Sequence, residues 1–161
     1  MYPHAPNGVE CCPRDDGIKH LNIYSKAGTD LGTELSFFTH RPFEHPLHGS
    51  FQSMEAFYHY IATGSKHETL RFLHGYAAKS AGRNFPKVPM DHTLFQSIIC
   101  DGLWSQLSQY PMLALKVRDC QLPFAHYYVT PDGRVHLPQK HQWIVELYEY
   151  MRTKLINGSQ L

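Results

Sequence analysis

SMEAFYHYIATG, residues Ser53 to Gly64, is where the chain changes period. Met54, Phe57, Tyr58 and Ile61 stand at i, i+3, i+4 and i+7, the spacing that lines one side of an α-helix. Ser53 precedes the run with a hydroxyl suited to capping free helix N–H groups, and Gly64 follows it as a residue that readily leaves a helix in the left-handed conformation. The stretch therefore predicts an amphipathic helix with an acid, Glu55, in its first turn.

Downstream, a second helix is expected from about Lys66 to Ala81, burying Leu70, Leu73, Ala77 and Ala81 and ending at Gly82. Pro86 and Pro89 make a connector. Asp91 caps a third helix carrying Leu94, Phe95, Ile98, Ile99, Leu103 and Trp104, and Pro111 opens another through about Val117. Phe124 to Val129 is β-prone, Pro131-Asp132-Gly133 is a turn, and Val135 to Leu137 returns as a hairpin partner. In the last helix Ile144, Leu147, Tyr148, Met151 and Leu155 share one side, and Asn157-Gly158 stops it. The first helix is expected to pack against this last one through Met54, Phe57 and Ile61.

Upstream, Pro42, Pro46 and Gly49 set a loop over Arg41 to Gly49, Leu35 to Phe38 reads as extended, and AGTDLGTE reads as a turn after a strand over Ile18 to Tyr24. The first seventeen residues hold three prolines, two glycines and no periodicity, so they read as an irregular arm, with packing beginning near Ile18. The expected architecture is α+β, mainly α: one helical domain over 18–156 with short strands and a small hairpin, the arm at 1–17 and a tail at 157–161.

At 161 residues one core is expected, and 42% apolar against 18% charged residues favours a folded chain over a disordered one. No apolar run approaches the roughly 18 residues of a membrane span. The N-terminus lacks the basic region and apolar stretch of a signal peptide, so a cytoplasmic protein without a membrane partner is expected. A net charge of +1 gives no bulk footprint for nucleic acid, which would have to be met by a local patch. Protonating the twelve histidines would add twelve positive charges, so stability should respond to acid. Cys11, Cys12, Cys100 and Cys120 follow neither a disulfide nor a zinc pattern, and reduced thiols are expected.

Glu55 shares its side of the helix with Tyr58, His59 and Ala62. It is either a first-turn charge that complements the helix dipole or a carboxylate at a cleft rim, able to stabilise a sugar cation or orient water in glycosidic cleavage. His40, Glu44, His45 and His48 crowd one loop, yet no H-E-x-x-H or paired helical spacing occurs, so neither metal nor cofactor is expected. Tyr127 and Tyr128 offer planar groups for stacking on a base, and Arg83 a fork for a phosphate. Doubly wound dinucleotide folds, P-loop phosphotransfer and serine-hydrolase chemistry lack their signatures here.

In order along the chain, Asn22-Ile23-Tyr24-Ser25, then Leu35-Ser36-Phe37-Phe38 with Pro42-Phe43, then GSFQSMEAF (Gly49 to Phe57) and Ala81-Gly82-Arg83 resemble the motifs of the NADAR family. Lys140 to Arg152 resembles that family's closing helix in pattern. The family takes its name from NAD and ADP-ribose, and includes N-glycosidases of ribosylated riboflavin-pathway intermediates and hydrolases of ADP-ribose carried on nucleobases. The resemblance implies a divergent, NADAR-like fold acting as an N-glycosidase on a ribosylated base, ribosylamine or ADP-ribosyl adduct, a nucleic-acid adduct among them. Glu55 falls on the family's glutamate and takes the catalytic role, with Ser36, His59, Arg83, Tyr127, Tyr128 and Asp132 as ligand contacts. Phe37, Ala56, His59 and Ala62 stand where the family has asparagine, histidine, glutamine and lysine. These departures support a second reading, a catalytically lapsed module that binds an ADP-ribose-like ligand or a protein partner.

Overall fold

The computed structural model describes residues 1–158, so Ser159 onward of the expected tail lies outside the described residues. In chain order the elements are β1 (Leu21–Asn22), α1 (Asp30–Leu35), β2 (Phe43–His45), β3 (Gly49–Phe51) and α2 (Met54–Ala62). Then come α3 (Gly75–Arg83), α4 (His92–Ser108), α5 (Pro111–Asp119), β4 (Phe124–Ala125), β5 (Tyr128–Val129), β6 (Val135–His136) and α6 (Trp143–Ile156). With 47% helix against 11% strand, the chain is α+β and mainly α. Its described residues divide into two compact units, one made of Met1–Ser36 with 115–158, the other of Phe37–Ala114.

In the Phe37–Ala114 unit, Ser53 caps α2 by accepting from the Ala56 N–H at 3.0 Å, and its own hydroxyl donates to the Leu73 carbonyl. Met54, Phe57 and Ile61 are buried as the period requires. α2 as a whole packs on α3, α4, β3 and a 3₁₀ turn at Glu68–Phe72. α6, expected as the partner of α2, packs on β4 within the other unit. The helix expected over 66–81 is broken as well, because the chain is extended at Leu73 and His74 before α3 restarts at Gly75. The loop expected at Arg41 to Gly49 is instead the antiparallel pair β2–β3, with Phe43 opposite Phe51. Gln109 of the turn after α4 holds the Glu44 backbone, accepting from its N–H and donating to its carbonyl, both at 2.9 Å, and so supplies the pairing a third strand would. Phe43, Phe51, Phe57 and Tyr60 then meet mostly edge to face, in the geometry aromatic rings prefer.

In the other unit, β1 and β4 form a two-residue parallel pair, and β5–β6 is the hairpin expected around Pro131-Asp132-Gly133. AGTDLGTE is not only a turn: Thr29 caps the short helix α1 through Gly32 N–H at 2.9 Å, and Leu35, read as extended, ends that helix. The arm packs earlier than expected. Ala5 and Cys11 are buried with Ala125 and Tyr127, while Ile18 is exposed. Asn7 donates to the Phe124 carbonyl and so pins the arm to β4. From α6, Arg152 donates to the carbonyls of Cys120 and Leu122 at 2.8 and 2.7 Å and lies over the Phe124 ring. Asn157 and Gly158 end α6 as the sequence indicates.

Two buried histidines make the fold acid-sensitive. Burial pushes His45 below the ordinary imidazole value, with His48 adding to the shift and Asp101 opposing it; burial lowers His20 too, against Asp16 and Asp15. His45 Nδ1 accepts from the N–H groups of Leu47 and His48 at 3.1 and 3.2 Å, which a protonated Nδ1 cannot do. Both rings therefore take up a proton less readily in the fold than in the unfolded chain, where they protonate near pH 6.5. Their contribution is therefore complete above about pH 6.5 and is lost as pH falls below it. The urea midpoint should drop between pH 7.5 and 5.5. A flat or rising midpoint would contradict the assignment.

Candidate functional site

Glu55 is placed by the capped start of α2. Its backbone N–H donates to the Phe37 carbonyl at 3.0 Å, which fixes the first turn. One turn later His59 brings Nε2 to 3.0 Å from Glu55 Oε1, with only 8% of the His59 side chain and 13% of the Glu55 side chain exposed. Oε2 has no hydrogen-bond partner among the described residues, yet it is not among the sealed polar atoms, so it stays reachable from solvent. An acid held on one oxygen and open on the other can accept a proton or face a developing cation.

Gly82 completes the surroundings of this pair. The sequence reads it as the residue after a helix, but α3 runs through it, and Gly82 is buried against the His59 ring. A Cβ there would sit 2.7 Å from His59 Cβ and closer still to Cγ and Nδ1. Only a residue without a side chain lets the two helices come this near. Arg83, the next residue, is exposed, and its side chain forms no hydrogen bond or ion pair among the described residues, so its planar fork has no internal partner there.

The remaining expected site residues lie in the other unit and differ in character. Tyr127 is fully buried and shares a 2.7 Å hydrogen bond with buried His20; burial, with Asp16 adding, pushes its phenol well above the ordinary value. Its ring is core and offers no face for a base. Asn22 completes that core: its Nδ2 donates to the Tyr127 carbonyl and its Oδ1 accepts from the Tyr127 N–H, both at 2.9 Å, so the amide extends the β1–β4 pair. Tyr128 is half-buried, with Tyr24 at 5.3 Å and His136 stacked at 5.9 Å between ring centres. Asp132 serves its own turn, accepting from the Thr130 hydroxyl and from Arg134 Nε. Ser36 ends α1, its N–H donating to the Thr33 carbonyl.

Among the described residues no three His, Cys, Asp or Glu side chains converge as ligands, and His40 of the histidine loop is bonded to Gln52 and stacked on His74. No helix among them is long and apolar enough to cross a membrane.

No family model matches the chain, and no curated protein matches it. Its fold is similar to that of the Escherichia coli protein YbiA, solved by NMR, with a TM-score of 0.64 at 14% sequence identity over 85% of this chain and 84% of that one. At that identity the likeness shows a shared fold.

Proposed function

We propose that the chain is an N-glycosidase-like hydrolase of a ribosylated base, ribosylamine or ADP-ribosyl adduct, acting in the cytoplasm. The observation that carries this reading is the Glu55 carboxylate, largely sheltered, tied at Oε1 and open at Oε2. In such a reaction the bond from ribose C1′ to the base nitrogen breaks and its electron pair leaves with the base. A water oxygen bonds C1′, and the proton that water loses ends on the departing nitrogen. Glu55 is suited to stabilise the cationic sugar and to take the proton from the water. Arg83, with no internal partner, is suited to a substrate phosphate, on a free nucleotide or on a nucleic-acid adduct.

A second reading, a module that binds an ADP-ribose-like ligand or a protein partner without turnover, is favoured by one observation. Phe37 and Ala56 are 7% and 0% exposed, so neither position supplies the polar group found there in NADAR proteins. Thermal melting with ADP-ribose, NAD, nucleosides and ribose phosphates, run beside chromatography for free base, separates the two. A ligand at a hundred times its Kd should add about 2.7 kcal/mol of stability. Release of base supports the hydrolase, and a raised melting temperature without release supports the binding module. With a ribosylamine and an ADP-ribosylated nucleobase added to the panel, no shift and no release would sink the hydrolase and the small-ligand module and leave the protein partner.

A further inference from the structure

We propose that His59 is the positioning residue for Glu55: its Nε2–H holds Oε1, so that the carboxylate keeps one geometry with Oε2 left for substrate. This inference rests on the glycosidase reading of Glu55. An exposed acid and imidazole four residues apart on a helix would move freely and contribute little. Here both side chains are withdrawn from water, and their separation is 3.0 Å. The ring itself is held by its neighbours. Gly82 of α3 lies against its Cγ–Nδ1 edge, and Tyr58 meets it edge to face at 5.2 Å. With Nδ1 turned to the Gly82 backbone, Nε2 is the nitrogen that serves Glu55, and a carboxylate acceptor selects the tautomer protonated there. His59 therefore acts on a substrate through Glu55 rather than by touching it, which replaces the ligand contact expected for it from the sequence.

Two substitutions of His59 and one spectroscopic comparison with Glu55→Ala test the assignment. His59→Leu keeps bulk and removes the donor; kcat for base release should fall about 10- to 100-fold with KM nearly unchanged, the cost of a loosened reacting group. His59→Gln places an amide N–H near the position of Nε2 and should recover most of that loss, which a purely space-filling role would not produce. Long-range proton–nitrogen NMR should show His59 protonated at Nε2, with a slowly exchanging N–H that disappears in Glu55→Ala. A His59 protonated at Nδ1, or a His59→Leu protein with undiminished kcat, overturns the proposal. If the leucine variant does not fold, the spectrum of the wild type against Glu55→Ala decides. If the wild type releases no base from any ribosylated substrate, the glycosidase reading fails, while the spectrum still decides whether His59 holds Glu55.

Discussion

Gly102→Ala should destabilise the protein by about 2 kcal/mol or more, although alanine is ordinarily the better helix residue by 0.5–1 kcal/mol. Gly102 lies inside α4, and a Cβ there would stand 2.6 Å from Phe57 Cδ1 and nearer still to Cε1. The obstacle is a ring rather than the end of a flexible chain. Phe57 is fully buried, with Phe43, Phe51 and His45 packed around it, so it has no room to swing away. Either α4 moves off α2 or the ring leaves its rotamer, and overpacking of this kind typically costs about 1–3 kcal/mol, occasionally more. Shortening the obstacle with Phe57→Leu should recover part of the loss in the double mutant, a coupling that denaturant titrations of the four proteins would measure. If Gly102→Ala alone raises the midpoint, as at an unhindered helical glycine, the close approach of α2 and α4 is absent.

That approach shows which parts of the fold were legible in the sequence. Caps and periodicity are local, so α2, α4, the β5–β6 turn and the end of α6 could be read from Ser53, Asp91, Pro131-Asp132-Gly133 and Asn157-Gly158. Glycine was the ambiguous letter. Gly28 and Gly32 suggested a turn, yet Gly32 sits within α1 because a Cβ there would meet Ala27 and the Asn22 carbonyl. Gly82 suggested a helix end, yet it is the seat of His59. Gly32 answers to the carbonyl of a neighbouring strand and Gly82 to a ring on another helix, and neither close approach is encoded in a cap or a helical period. The same holds for β2, whose prolines suggested a loop and whose outer hydrogen bonds come from Gln109, 65 residues on. At the candidate site, the position of Glu55 in a first turn was readable. The i,i+4 spacing put His59 beside Glu55, but the close approach of Gly82 to the His59 ring and the burial of Tyr127 were not readable, since each is set by packing between elements distant in sequence.

Glu55→Gln should leave the fold intact and lower base release by roughly 10²- to 10⁴-fold, the range typical of a lost general acid or base. The amide is nearly isosteric, and its carbonyl oxygen can still accept from His59 Nε2, so stability should change by no more than about 1 kcal/mol. What the amide lacks is the negative charge facing the sugar cation and the capacity to take a proton from water. Because both matter only as the bond to C1′ breaks, the loss should fall on kcat, with ligand affinity retained. Arg83→Ala makes the opposite case: a phosphate contact present in ground and transition states alike should raise KM or Kd and spare kcat. Measuring melting temperature, ligand affinity and base release on both variants distinguishes the roles. A Glu55→Gln protein with undiminished turnover would remove the carboxylate from the chemistry and leave it as a first-turn charge paired with His59. A protein in which Glu55→Gln weakens ligand binding while no variant releases base would instead mark Glu55 as part of a binding surface, because a charge that only recognises its ligand has no transition state to discriminate.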